Sequence, residues 1–217
     1  MSKSRAVKFA MACSVAIVAI GSGGIVKPAN AATLVDTSYF GGSRYDYYVE
    51  STGVLWSTAS AAAGLLGGTL AALTSDAENA HVAGHVDANA GMFGGIVGPW
   101  LGGYCDENCG TLTNWNWVTA ESNARLTSSA SWALGQPDGF EINPHYLLYY
   151  NGGSPTGTLW GDYGSNCGPL DTCGAGPVTG YVVETLVPLP AALPLFAVGL
   201  SAIGFMGWRR KRKVSVN

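Results

Sequence analysis

Between Cys105 and Gly157 the sequence shows little apolar periodicity, either helical or alternating. So long a stretch without regular structure is uncommon in a compact domain unless the loop is itself functional. Something other than a backbone ladder must hold it down. Six of the seven tryptophans lie between residues 32 and 187, three of them, Trp115, Trp117 and Trp132, inside this stretch. A large ring buries about 150–250 Å². The expectation is therefore an aromatic core, with Trp56, Trp100, Trp115, Trp117 and Trp132 packed inside. No internal repeat is evident.

Regular elements frame the irregular stretch. Tyr45 to Glu50 is aromatic and partly alternating, which predicts a strand. Trp56, Ala59, Ala63 and Leu66 recur at helical spacing, and Gly67-Gly68 ends that helix. Thr69 to Leu73 reads as a short strand. Ser75 with Glu78 forms a capping box that opens a second helix, running to about Val86. Asp87 to Gly98 is Gly-rich and reads as loop. Pro99 to Tyr104 predicts a buried strand, and Leu159 to Tyr163 and Gly180 to Glu184 the last two. The pattern is α+β.

The ends of the chain are of another kind. Lys3, Arg5 and Lys8 precede an apolar run from Phe9 to Ile20, and Ala29-Asn30-Ala31 gives a small-x-small pattern. These are the parts of a secretory signal peptide, residues 1–31, with the mature chain starting at Ala32. Cys13 falls within the part removed. Near the C-terminus an apolar run, Leu195 to Trp208, precedes the basic cluster Arg209 to Lys213. That run is near the lower limit for a helix crossing ~30 Å of hydrocarbon. The basic cluster would stay in the cytoplasm and leave the domain outside. Between the two ends all 14 acidic residues face only two basic ones, Arg44 and Arg125, a net charge of −12. Such a surface repels nucleic acid and anionic lipid.

One turn carries the candidate chemistry. In Gln136-Pro137-Asp138 a proline separates two side chains with oxygen ligands. An X-Pro bond readily takes the cis form, which would turn both side chains to one side. Calcium takes six to eight such oxygens, so the turn could begin a calcium shell. Pro, Asp and Gly are equally the residues of a plain surface turn.

Taken in order, these landmarks resemble a C-type lectin-like domain of the bacterial secreted kind, spanning residues 32–187. The resemblance rests on Trp56 opening helix one, on Gly67-Gly68-Thr69-Leu70-Ala71, and on Ser75-Asp76-Ala77-Glu78-Asn79. It continues through Trp100-Leu101-Gly102-Gly103, Trp115-Asn116-Trp117, Gln136-Pro137-Asp138, Trp160-Gly161-Asp162 and Tyr181-Val182-Val183-Glu184. It implies a C-type lectin-like fold in which the terminal strands pair and bring Tyr47 near Val182. It implies a sugar- and calcium-binding set of Gln136, Asp138 and Asp162, with Glu141 or Asn143 as the later ligand, and galactose-type sugars. Gly161 stands where the family has an oxygen-bearing Asn, and Asn143-Pro144-His145-Tyr146 stands where an acid would fall. The set is short of a full shell, so the expected calcium affinity is millimolar or nil. Val183 stands where the family's long disulfide would take a cysteine.

The segment 188–213, opened by Val187, resembles the VPLPA variant of the PEP-CTERM sorting signal of Gram-negative bacteria. The match is carried by Val187, Pro188, Leu189, Pro190 and Ala191, by the apolar span, and by Arg209, Arg210 and the basic residues after them. It implies recognition by an exosortase. The chain would be exported, anchored in the membrane facing the periplasm or exterior, and then released to the surface or extracellular matrix.

Four cysteines remain after signal removal, Cys105, Cys109, Cys167 and Cys173, an even number that suits disulfides in an exported chain. Three pairings are possible; the two local ones, Cys105–Cys109 and Cys167–Cys173, are favoured because each closes a small loop. His81 and His85 share a helix face, but no third ligand is placed beside them. His145 is isolated and receives no role. No catalytic fingerprint is present, and a glycosidase pair such as Glu121 with Asp138 would be decided by its separation. Two readings follow: a lectin for a surface or matrix glycan, with or without calcium, and a calcium-independent structural or protein-binding module of the matrix.

Overall fold

Aromatic and β-branched residues at both ends of the domain build one sheet. The computed structural model describes residues 32–119, 121–140, 143–151, 159–165, 167, 174 and 176–187. The expected signal peptide, Glu141, Cys173 and everything from Pro188 onward lie outside these. Strand β1 (Thr33–Phe40) turns into β2 (Ser43–Val49) through Gly41 and Gly42, both at positive φ. That geometry favours glycine at both positions of a two-residue hairpin. β2 pairs with the closing strand β8 (Gly180–Leu186), and Tyr47 faces Val182 as the sequence led one to expect. On its other side β8 runs parallel to β4 (Val97–Cys105). The sheet continues through β6 (His145–Tyr150) to β7 (Trp160–Gly164), both antiparallel. Two short strands branch from it, β3 (Thr69–Leu70) on β8 and β5 (Asn116–Trp117) on β4.

Each helix goes with its own apolar cluster. α1 (Trp56–Leu65) contributes Ala59 and Ala63 to a cluster with Leu70, Trp100, Leu148, Tyr181 and Val183. Val183 thus fills with apolar contact the place where the resemblance would put a cysteine. α2 (Asp76–Ala88) starts with the expected capping box: Ser75 Oγ accepts from the Glu78 amide at 3.2 Å, and Glu78 accepts from the Ser75 amide. Val82, Ala83 and Val86 enter the second cluster, with Trp115, Trp117, Trp132 and Trp160. Four of the five expected core tryptophans are buried. Trp56 is only half-buried, stacked on Tyr146 with ring centroids 4.2 Å apart.

The rings do hold down the irregular stretch. Trp115 and Trp132 donate their indole N–H to Cys109 O and Leu126 O, both at 2.9 Å. Burying one such ring removes enough surface for a gross gain of about 4–6 kcal/mol at 25 cal/mol per Å². The short Cys105–Cys109 bridge closes too small a loop to contribute more than about 2 kcal/mol. Aromatic burial therefore holds the stretch more strongly than the bridge does.

Several expectations need correction. Among its described residues the span from Cys105 to Gly157 holds two strands, β5 and β6. His145-Tyr-Leu-Leu-Tyr-Tyr is buried on both faces, so it shows none of the alternation of a half-buried strand. The expected loop from Asp87 to Gly98 is shorter, because α2 runs to Ala88 and β4 begins at Val97. β1 was not expected, since as a largely exposed edge strand it lacks a clear apolar face. The strand expected over Thr69 to Leu73 narrows to two residues, though the Ala71 amide still donates to Val182 O at 3.0 Å.

Candidate functional site

The site is assembled on β7. Trp132 bridges to Trp160, and the Ala133 amide donates to Trp160 O at 2.9 Å, which seats the following turn beside the strand. Gly135 at φ 86° and a 2.9 Å bond from Gln136 N to Ala133 O reverse the chain. The Gln136–Pro137 peptide is cis, and so is Asn143–Pro144. Gln136 and Asp138 do lie on one side of the proline: Gln136 Nε2 donates to Asp138 Oδ2 at 3.0 Å.

Asp162 is the hub. Its Oδ1 accepts from the Asp138 amide at 2.9 Å. Its Oδ2 accepts from the Gly139 amide at 3.0 Å and from His145 Nδ1 at 2.7 Å. Its own amide donates to Gln136 Oε1 at 3.0 Å. Asp162 is 4% exposed and His145 fully buried, so this is an internal pair. His145 is the residue the sequence reading missed. Its partner lies on the neighbouring strand, where Cα pairing sets His145 opposite Gly164. The only sequence signal was a histidine inside an aromatic run.

Below the turn, Gly139 packs against Gly110. A Cβ on Gly139, which already sits at φ 61°, would come 2.6 Å from Gly110 N. Gly110 follows Cys109, which is tied to Cys105 as favoured from the sequence. Cys167 is also disulfide-bonded. At the outer face the turn leaves two large apolar side chains in solvent, Leu134 at 104% and Phe140 at 85% exposure.

The structure brings Gln136, Asp138 and Asp162 together, but not as an open calcium shell. Gln136 Oε1 and both oxygens of Asp162 accept the bonds just given, and Asp138 Oδ1 accepts from the Phe140 amide at 3.0 Å. Gly161 supplies no side-chain oxygen, and a Cβ there would come 2.8 Å from Tyr150 Cβ. Asn143 is exposed and makes its contact through its carbonyl, which accepts from Ser165 Oγ at 3.5 Å. Among the described residues no cluster of three His, Cys, Asp or Glu is placed to hold a metal. As they stand, these residues do not fit calcium.

The other candidates separate. His81 and His85 do share a face of α2, ring centroids 4.8 Å apart, but both are engaged by β1. His85 Nδ1 bonds Asp36 Oδ2 at 2.7 Å, and His81 Nε2 meets Ser38 Oγ at 3.0 Å. Glu121 lies on a cleft of about 500 Å³ with Glu184, Thr119 and Thr185. Burial, then the Glu184 charge, raises its pKa. Asp138 is not among that cleft's lining, and its side chain is engaged by Gln136 and Phe140. Val187 is exposed at the end of β8, its amide bonded to Gly42 O at 2.8 Å.

No protein-family model matches the sequence, and no curated protein matches it. Solved structures do. The cow C-type carbohydrate-recognition domain of CD23, solved with a GlcNAc2Man3 oligosaccharide, aligns over 70% of this chain and 95% of its own. Its TM-score is 0.50 and its identity 19%. Human lithostathine aligns over 76% of this chain and 98% of its own, with TM-score 0.49 and identity 16%. A calcium-independent type II antifreeze protein covers 73% and 98%, with TM-score 0.47 and identity 16%. At 19% identity the likeness to the CD23 domain speaks for architecture, and with the sheet order and two helices above it shows that the described residues adopt the C-type lectin-like fold.

Proposed function

We propose that this protein is an exported binding module that presents the Leu134–Phe140 turn to a glycan of the cell surface or extracellular matrix. The observation that carries the reading is the placement of Phe140 and Leu134. Two exposed apolar side chains flank the Gln136–Asp138 pair on one turn. Bare apolar surface beside fixed hydrogen-bonding groups is the make-up of a small-ligand site. A sugar ring offers the matching faces, apolar C–H on one side and hydroxyls at its edge. The fold's neighbours include a carbohydrate-recognition domain, and the resemblance of Gln136-Pro137-Asp138 points to galactose-type sugars. Binding rather than catalysis is the proposed role, since both oxygens of Asp138 accept hydrogen bonds from within the turn. Export, membrane anchoring facing outward, and exosortase-dependent release in a Gram-negative host are part of the same reading, supported by the sequences of residues 1–31 and 187–213.

A glycan array probed with the full chain in mild detergent tests it. Binding of galactose-terminated glycans that drops at least about tenfold in Phe140→Ala, the loss expected when a well-packed aromatic contact goes, supports the reading. A blank array, or binding indifferent to Phe140, favours the second reading, a matrix protein-interaction module. That alternative has its own observation in the long edge strand β1, where Leu34, Val35 and Tyr39 are exposed and no Lys or Pro blunts pairing.

A further inference from the structure

We infer that His145, acting through Asp162, holds the Gln136–Gly139 turn in the way a bound cation would, so that the polypeptide alone sets the shape of the site. A buried carboxylate needs its charge met by donors or a cation. Asp162 meets it with three N–H groups, from Asp138, Gly139 and His145, all within 2.7–3.0 Å. An ionised carboxylate offers about four lone-pair sites, so three are spent.

None of the three donors is free to yield. The amides of Asp138 and Gly139 are the backbone of the turn itself. His145 is fully buried in β6, with Cys105 of β4 opposite on one side and Gly164 of β7 on the other. For a cation to use Asp162 it would have to displace the bonds that shape the turn. Position 161 cannot contribute a side-chain ligand either, since it has no room for one beside Tyr150. His145 is thus a positioning residue. Fully buried, it fixes the carboxylate that fixes the turn.

The inference takes the turn as the binding site and in that respect rests on the proposed function. Its test reads the turn and not the ligand, so a blank glycan array would leave the result standing. Amide hydrogen exchange of Asp138 and Gly139 is measured in the full chain, with millimolar calcium and with excess chelator. The two conditions are expected to agree within about twofold, and a larger slowing by calcium overturns the inference. Two variants separate the donor from the volume. His145→Leu keeps bulk without the N–H and is expected to speed exchange at both amides at least about tenfold relative to Val82 in α2. His145→Asn sets an N–H donor at the same δ position and is expected to recover most of that loss. His145→Leu exchanging like the wild type at these two amides overturns the assignment. Should His145→Leu not fold, the calcium comparison on the wild type still decides it, together with His145→Asn, whose exchange at both amides is expected to stay within about threefold of the wild type.

Discussion

Asn79 shows how much of this fold hangs on single buried acceptors. Its Oδ1 takes the Tyr149 hydroxyl at 2.9 Å and the Trp160 indole N–H at 3.1 Å. Both rings are fully buried, and Asn79 itself is 3% exposed. The amide therefore joins α2 to β6 and to β7, the strand that carries Asp162. Replacing it by alanine strands two buried donors, at about 1–3 kcal/mol each, with the Tyr149 bond to Asn79 O at 3.3 Å recovering part. Asn79→Ala is expected to lose roughly 2–4 kcal/mol of unfolding free energy in denaturant titration. A loss below about 1 kcal/mol would mean that water replaces the amide and that Asn79 is not a keystone. The sequence placed Asn79 in the first turn of a capped helix but said nothing of this role, because both partners lie on distant strands.

Among the elements, β1 is the one held to α2 by a pair of histidines. Among the described residues it pairs only with β2, and α2 holds it through His85–Asp36 and His81–Ser38, with Phe40 stacked on His81 at 5.2 Å and, from β2, Tyr47 on His85 at 5.4 Å. Burial, then the charge of His85, lowers the His81 pKa from its usual 6.5, and Tyr45 also faces that ring at 6.3 Å. The hydrogen bond from His85 lowers the Asp36 pKa from its usual 3.8. A histidine with a lowered folded pKa contributes stability that is present above pH ~6.5 and lost as pH falls through the folded value. The Asp36 contribution is lost only further down, below its ordinary carboxylate range. Lowering pH from ~7.5 to ~5.5 is therefore expected to loosen β1 before the rest of the sheet, with faster exchange at Ser38 and Phe40 but not at Val182. His81→Gln should flatten that dependence; equal acceleration across β1 and β8 would refute it.

Elements also differ in how far the sequence discloses them. α2 was legible because a capping box is a contact three residues long. β2 and β8 were legible because their aromatic and β-branched runs alternate or are bounded by glycine. β6 escaped because burial on both faces erases alternation, and β1 because an edge strand needs little of it. At the site, Gln136, Asp138 and Asp162 could be named from their motifs. That Asp162 would be claimed by two turn amides and by His145 is a tertiary fact, which no local spacing encodes.

For the whole molecule the decisive property is asymmetry of charge. The segment that folds carries net −12, and its two arginines are both engaged, Arg44 with Asp46 at 2.8 Å and Arg125 with Asp76 while lying 4.8 Å over the Trp160 ring. Basic residues sit outside it, in the first 27 positions and in Arg209 to Lys213. Positive charge next to an apolar span biases that end to the cytoplasm. An acidic domain followed by such a tail should thus be delivered outward. If the proposed sorting holds, processing removes both ends and releases a chain that begins at Ala32 and ends near the Pro188–Pro190 motif. Intact-mass measurement of the surface fraction from an exosortase-bearing host reads both cuts at once. Replacing Pro188 and Pro190 should leave insertion intact but keep the span attached, adding the mass of the tail. Replacing Arg209 to Lys213 with serine should instead lower the correctly oriented fraction, seen as protease-protected domain. A tail that stays on in the unaltered protein, in that host, would make the C-terminal segment a plain membrane anchor and confine the molecule to the cell envelope.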